Sequence, residues 1–410
     1  MTAGAPREAA RTALPRVVLR KNLARAIRSG HPWIYRDALT APEGLADGAL
    51  VFVVDTDRKS LARGYWDARS PIAVRVLATS DERPAVGHDL DAAVDARLGA
   101  ALDRRLSFID RARTNAFRWI HGEADRLPGV HVDLYGAVAV VRADGAGARA
   151  FYHDLPARLS AAAAARGLPL AAVVERDGES GATTGTDALP AGELEVHENG
   201  LRFGVDLARG QKGGLFLDQR DNRALVETLA AGRRVLNLFG YTGGFSLFAA
   251  RGGAAETTTV DVAAPALAAA RRNFERNGMG ELLSTRAHLH AEDAFAFLER
   301  AAAAGARYDL VISDPPSFAP SERALAAALG AYTRLHRLCA AVTAPGGTLC
   351  AASCSSHVRA ETFIETVVAG ARESGRTFTL VELRGAAACH PSLASFHEGD
   401  YLKFAHGRIS

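Results

Sequence analysis

The sequence predicts an α/β protein: a β-rich barrel first, a small central α/β segment next, and a C-terminal parallel sheet wound with helices. Three observations carry this. Short alternating runs bounded by Gly, Pro and Asp fill residues 1–80, among them Leu50-Val51-Phe52-Val53-Val54-Asp55 and Ile72-Ala73-Val74-Arg75-Val76-Leu77, the pattern of a small barrel. Leu98, Leu102, Leu106 and Ile109 then recur at helical spacing, and short strand patterns follow around residues 130–133, 138–141 and 172–175. From Arg234 onward, apolar runs alternate with helical stretches at β-α-β spacing. The boundaries are set at 1–80, 81–190 and 191–410.

At the N-terminus, Arg7 and Arg11 stand among alanines with Glu8, and no apolar core of a secretory leader follows. Residues 1–75 hold 13 Lys/Arg against 7 Asp/Glu, a surplus of six in a chain of net charge +3, so the remainder sums to −3. Arg16, Arg20, Lys21, Arg25 and Arg28 lie near Trp33 and Tyr35, a combination that suits phosphates and unpaired bases. A solvated basic helix beside core aromatics is the alternative. A polar break at residues 79–84 precedes the central helix, and a Gly/Thr/Ser loop at 178–185 precedes the third region.

In that region, Arg234-Val235-Leu236-Asn237-Leu238-Phe239 reads as a buried strand and Gly240-Tyr241-Thr242-Gly243-Gly244 as the turn leaving it. Glycines there let a ligand approach the backbone, and a helix N-terminus favours polar or anionic groups. The next strand ends in Asp261, 21 residues after Gly240, the placement of a carboxylate that holds a ribose diol. A third unit ends at Glu292-Asp293. A fourth, Tyr308-Asp309-Leu310-Val311-Ile312, runs into Asp314-Pro315-Pro316-Ser317, where two prolines fix the backbone and remove its donors. The run Thr348-Leu349-Cys350-Ala351-Ala352-Ser353 ends at Cys354. Ligands of such sheets sit at the C-terminal strand edges, so the Asp314 carboxylate and the Cys354 thiol are expected to face one crevice. Helix capping is the alternative for Asp261 and Asp293. An NAD(P)-binding fold accounts for the glycine turn but not for Asp-Pro-Pro or Cys354.

The four cysteines, Cys339, Cys350, Cys354 and Cys389, form no CxxC pair and no disulfide scaffold, which suits a reducing cytoplasm. Cys350, Cys354, Cys389 and His390 lack metal-ligand spacing, and no metal is expected. Cys339 and Cys350 read as core filler. With 410 residues, 48% hydrophobic and 23% charged, the chain has room for two or three globular domains and no membrane-spanning run.

With these residues in place, the chain resembles class I S-adenosylmethionine (SAM) methyltransferases and, along most of its length, the RlmI family of bacterial 23S ribosomal RNA cytosine-5 methyltransferases. Matching segments include Gly30-His31-Pro32-Trp33, His121-Gly122-Glu123-Ala124-Asp125, Phe216-Leu217-Asp218-Gln219-Arg220, Asn237-Leu238-Phe239-Gly240-Tyr241-Thr242-Gly243-Gly244, Asp314-Pro315-Pro316, Ser353-Cys354-Ser355 and Glu398-Gly399-Asp400-Tyr401-Leu402-Lys403. The resemblance implies a PUA-like RNA-binding barrel, a small central α/β domain and a Rossmann-like methyltransferase domain with SAM as cofactor. Asn237 and Phe239 would bind it, the glycine turn with Gly240, Thr242 and Gly243 would hold its methionine end, Asp261 its ribose, and Asp293 would lie near its adenine. Phe216, Gln219 and Arg220 would cover it, with Asp314 between cofactor and base and Cys354 as nucleophile. Arg20, Lys21, Arg25 and Trp33 would contact RNA, either 23S rRNA or a large-subunit assembly intermediate. The 121–125 segment reads as a structural turn with an RNA-facing edge, and self-association into a homodimer stays open. Ser317 is a departure, because many relatives have Lys there. Base-nitrogen methylation and a non-catalytic ribosome-assembly role are the rival functions.

Overall fold

The computed structural model describes residues 14–82, 90–176, 183–184, 192–208, 214–319 and 321–410. The expectations for Arg7 and Arg11, for most of the 178–185 loop and for residues 83–84 lie outside them.

Strands β1 (Arg16–Leu19), β2 (Trp33–Tyr35), β3 (Leu39–Thr40), β4 (Leu50–Val54), β5 (Ser60–Trp66) and β6 (Ile72–Thr79) form one sheet in the order β2-β6-β5-β4-β1-β3. Only the β1–β4 pair is parallel. Alternate residues such as Val17, Leu19, Val51 and Val53 point into a core of the barrel's own, as a period of two requires.

The central sheet runs β11-β10-β9-β8-β7, built from β7 (Ala116–His121), β8 (Val130–Tyr135), β9 (Val138–Ala143), β10 (Ala172–Arg176) and β11 (Thr183–Thr184). Val130, Val132 and Leu134 face the helices Leu90–Leu106 and Leu155–Ala164. The first helix stops at Leu106. Ile109 reaches the same core from the next turn, where its N–H bonds the Arg105 carbonyl at 3.0 Å. On the opposite face, Tyr135, Val138 and Val140 share a core with the hairpin β12 (Leu194–Glu198) and β13 (Leu201–Val205) and with Leu247, Phe248 and Phe274. Farther along, that face turns polar, with Arg118 on β7 opposite Asp133 on β8.

The third sheet holds β14 (Arg234–Leu238), β15 (Glu256–Asp261), β16 (Ala287–Ala291), β17 (Tyr308–Ser313), β18 (Thr343–Ser353), β19 (Phe378–Arg384) and β20 (Lys403–Ile409). Its order is β16-β15-β14-β17-β18-β20-β19, parallel except for β20. The central strands are apolar on both faces because helices cover both, as in other parallel sheets. The chain winds outward from β14 to β16 and then returns to β17 beside β14. Such a switch of direction opens a crevice at the strands' C-terminal ends. Among the described residues no helix is long and apolar enough to cross a membrane, and no three His, Cys, Asp or Glu residues group as metal ligands.

Candidate active site

The turn after β14 holds Phe239, Tyr241 and Gly243 at φ of 56°, 48° and 78°. Left-handed backbone at non-glycine residues costs about 1–3 kcal/mol each and tends to mark functional sites. The turn is fastened to β15: Gly240 N–H donates to the Val260 carbonyl at 3.0 Å and Tyr241 N–H to Asp261 Oδ2 at 2.8 Å. Gly240 has no room for a side chain, since a Cβ would lie 2.3 Å from Thr259 Cγ2. Asp261 Oδ1 accepts from Ala263 N–H at 2.8 Å, so both carboxylate oxygens are oriented by main chain.

Phe239, Gly240, Tyr241, Asp261 and Ala263 border a cavity of about 480 Å³, ordinary for a small-molecule pocket. Asp293 reaches it while capping helix Ala294–Ala303 through Ala296 N–H at 3.0 Å, so the capping alternative holds there too. Phe216 and Tyr241 meet edge to face at 5.4 Å on one wall, and Val262, Ala263 and Ala294 leave apolar space on another. The lining cation Arg223 is neutralised by two 2.7 Å bonds to Glu198.

Asp314 follows β17 into the same cavity, with Oδ2 accepting from Gln219 Nε2 at 3.0 Å; Asn222 in turn holds Gln219 Oε1 at 2.7 Å. Pro315, Pro316, Ser317 and Cys354 complete this side. Cys354 is partly exposed, whereas Cys339, Cys350 and Cys389 are buried. Burial pushes the Cys339 and Cys350 thiols up to about 12, which leaves them inert. Hydroxyls fix the loop around Cys354: Ser317 bonds Ser355 at 2.8 Å, and Tyr332 bonds Ser353 at 2.9 Å. Lys403, at the start of β20, donates to the carbonyls of Ser355 at 2.6 Å and Tyr401 at 2.9 Å.

Residues 149–388 match the family model described as S-adenosylmethionine-dependent methyltransferase, and residues 17–79 match a PUA-like domain. A ribosomal RNA large subunit methyltransferase of Deinococcus radiodurans is 40% identical over 408 residues, spanning 95% of this chain and 96% of the relative. Ribosomal RNA large subunit methyltransferase I of Shewanella amazonensis is 34% identical over 404 residues, spanning 96% and 99%. The chain belongs to this family of SAM-dependent methyltransferases. Two solved structures share its fold at 23% identity, each covering 96% of this chain and 99% of the other: a Streptococcus mutans chain described as a SAM-dependent methyltransferase, at a TM-score of 0.79, and a methyltransferase complexed with SAH, at 0.80.

The methyltransferase's cavity suits SAM chemically. Two lining carboxylates, Asp261 and Asp293, offer acceptors to a ribose diol and negative charge near a sulfonium. Of the residues expected at the cofactor, Phe216, Gln219, Phe239, Gly240, Thr242, Asp261, Asp293 and Asp314 line this cavity; Arg220, Asn237 and Gly243 do not. Arg220 opens helix Arg220–Leu229, so its side chain turns about 100° from Gln219. It pairs with Asp221 at 2.9 Å and lies 5.9 Å over the Phe108 ring. Asn237 is buried inside the fold, its Nδ2 donating to Ser246 Oγ at 3.0 Å. Gly243 is required by packing, because a Cβ there would meet Ala270 Cβ at 2.9 Å.

Arg20, Lys21 and Arg25 are exposed on the barrel. Arg20 bonds Thr40 Oγ1 at 2.8 Å, and Lys21 pairs with Asp37 at 2.6 Å. Trp33 instead donates its Nε1–H to Glu123 at 2.7 Å and lines a different cavity. In the 121–125 turn, buried Asp125 takes a bidentate bond from Arg105 at 2.5 and 2.7 Å, which is a structural role. The sequence reading missed Tyr241 and Lys403. Tyr241 stood in the glycine turn; Lys403 showed only inside a matching segment.

Proposed function

We propose that this methyltransferase forms 5-methylcytidine in 23S ribosomal RNA, in the cytoplasm, through attack of Cys354 on C6 of the target cytosine. The observation that carries the reading is that Cys354, alone among four cysteines in escaping burial, lines one cavity with Asp314 and Asp261. The names of the relatives and the PUA-like barrel support an rRNA substrate.

Cytosine C5 is a poor nucleophile, because direct methylation sacrifices ring stabilisation. Addition of the Cys354 thiolate at C6 makes C5 enamine-like. SAM supplies the electrophilic methyl group. C5 takes the methyl and gives up its proton to a base, the C5–C6 double bond re-forms, and the thiolate leaves. Asp314, oriented by Gln219, anchors the N3/N4 edge; in its protonated form it donates to N3, where negative charge gathers on addition.

The rival reading is methylation of a base nitrogen, which an Asp-Pro-Pro ledge also suits and which needs no thiol. Cys354→Ala decides between them. It is expected to keep SAM binding and lose methyl transfer, and RNA carrying 5-fluorocytidine is expected to trap wild type and Cys350→Ala but not Cys354→Ala. Robust turnover by Cys354→Ala moves the assignment to nitrogen.

A further inference from the structure

A second cavity, of about 400 Å³, lies where the barrel, the central sheet and the methyltransferase domain meet. Its floor is the polar end of the central sheet. Arg118 donates to both Asp133 oxygens, at 2.5 and 3.1 Å, and its Nη1 donates to Nδ1 of His121 at 2.9 Å and of His131 at 3.2 Å. Because a guanidinium only donates, both imidazoles accept at Nδ1 and carry their proton on Nε2. Burial, followed by the charge of Arg118, holds His121 and His390 well below the ordinary imidazole range, so both are neutral.

Unpaired polar groups cost free energy when buried and voids forfeit packing, so a roomy polar cavity at a domain junction is a place for a polar occupant. This one is polar and open. Trp33 and Phe396 meet edge to face at 4.5 Å on one side, and Phe216 and Tyr401 supply further aromatic wall. Five carboxylates line it against the guanidinium groups of Arg118 and Arg142, with Arg75 pairing Glu123 from behind, so the lining carries a surplus of negative charge that disfavours a phosphate. Carboxylates accept from amino groups, neutral imidazoles donate, and aromatic faces stack. Together these are the complement of a nucleobase edge.

Phe216 and Asp218 line both cavities, whereas Cys354 and Asp314 line only the SAM cavity. We propose that the junction cavity seats an unpaired base of the RNA substrate other than the base that is methylated, with Phe216 standing between the two. The acidic lining selects bases that carry an amino group, adenine, cytosine or guanine, over uracil. This inference rests on the reading that the substrate is RNA.

Trp33 supplies the probe, because Trp66 and Trp119 are only 6% and 0% exposed. Single-stranded hexanucleotides of A, C or U are titrated into the full chain while tryptophan fluorescence is followed. Saturable quenching by the A and C oligomers, at least tenfold tighter than by the U oligomer, is expected. Trp33→Phe should lose the quenching. The double variant Asp144→Asn, Glu398→Gln changes two partly exposed carboxylates (43% and 45%) and should reduce the preference over U at least fivefold. No saturable quenching by any oligomer, undiminished quenching in Trp33→Phe, or tighter saturation by free AMP or CMP than by the oligomers overturns the proposal. Trapping by 5-fluorocytidine RNA, measured on the same protein, keeps the two readings apart. Trapping without quenching sinks this proposal alone; quenching without trapping sinks the Cys354 mechanism alone.

Discussion

Lys403 donates a 2.6 Å hydrogen bond to the carbonyl of Ser355, one residue beyond Cys354. The bond closes the loop that carries the thiol against β20, and it brings a buried ammonium to the site. Burial draws the Lys403 pKa down to about 8, while the charges of Cys354 and Asp400 push it back up. Such coupling is mutual, so the ammonium stabilises the thiolate. The effect is present while Lys403 is charged and fades as pH rises through about 8. Lys403→Met is therefore expected to raise the pH midpoint of Cys354 alkylation, and Lys403→Arg to leave it near wild type. Iodoacetamide kinetics against pH measure this without RNA, because the other three thiols are buried. Identical profiles for wild type and Lys403→Met would take Lys403 out of the chemistry.

Asp261→Ala removes the carboxylate that holds the turn at Tyr241 and faces the SAM cavity. Calorimetry should show SAM affinity falling more than tenfold, a loss of over about 1.4 kcal/mol. Arg220→Ala, which changes a residue outside the cavity, should stay within about twofold of wild type, or about 0.4 kcal/mol. Reversal of this order would put the cofactor elsewhere.

Changing Arg20, Lys21 and Arg25 to Glu should weaken RNA binding and flatten its dependence on salt, with SAM affinity unchanged. For every phosphate no longer neutralised, the log–log slope should fall by about 0.7–0.9. A slope equal to wild type would make the patch an ordinary solvated surface, consistent with the partners Thr40 and Asp37 already found for two of its members.

Glu198 and Arg223 are 0% and 3% exposed and join hairpin β12–β13 to helix Arg220–Leu229. Glu198→Ala strands a buried guanidinium and is expected to cost about 3–5 kcal/mol in urea unfolding. Replacing both residues with Met should cost less than the single change, since no charge is left unpaired. A single-variant loss below about 1 kcal/mol would mean that water reaches Arg223.

Asp314 and Cys354 were legible because each follows an apolar run, and Asp261 and Asp293 because each closes a strand-like unit of the same β-α repeat; a parallel sheet gathers its strand ends on one edge. Other features depended on distant partners. Gly243 answers to Ala270, and Trp33 answers to Glu123, 90 residues away. Arg220 is drawn from the cavity by Asp221 and Phe108, the latter 112 positions earlier in the chain. Lys403 reaches Cys354 because β20 runs antiparallel between β18 and β19, and no periodicity within one strand announces its neighbours.

The core that Tyr135, Val138 and Val140 share with Leu247, Phe248 and Phe274 has a consequence for how the molecule comes apart. Severing the central sheet from the SAM-binding half would bare an apolar face on each piece, so neither is a self-sufficient module. The barrel keeps its own interior around Val17, Ile34 and Val53. Its strands also reach outward, because Tyr65 and Leu77 are buried in the core of the central sheet and Arg75 pairs with Glu123 there. A chain divided just before β12 thus yields two fragments prone to aggregate, and a barrel cut away would open the central core.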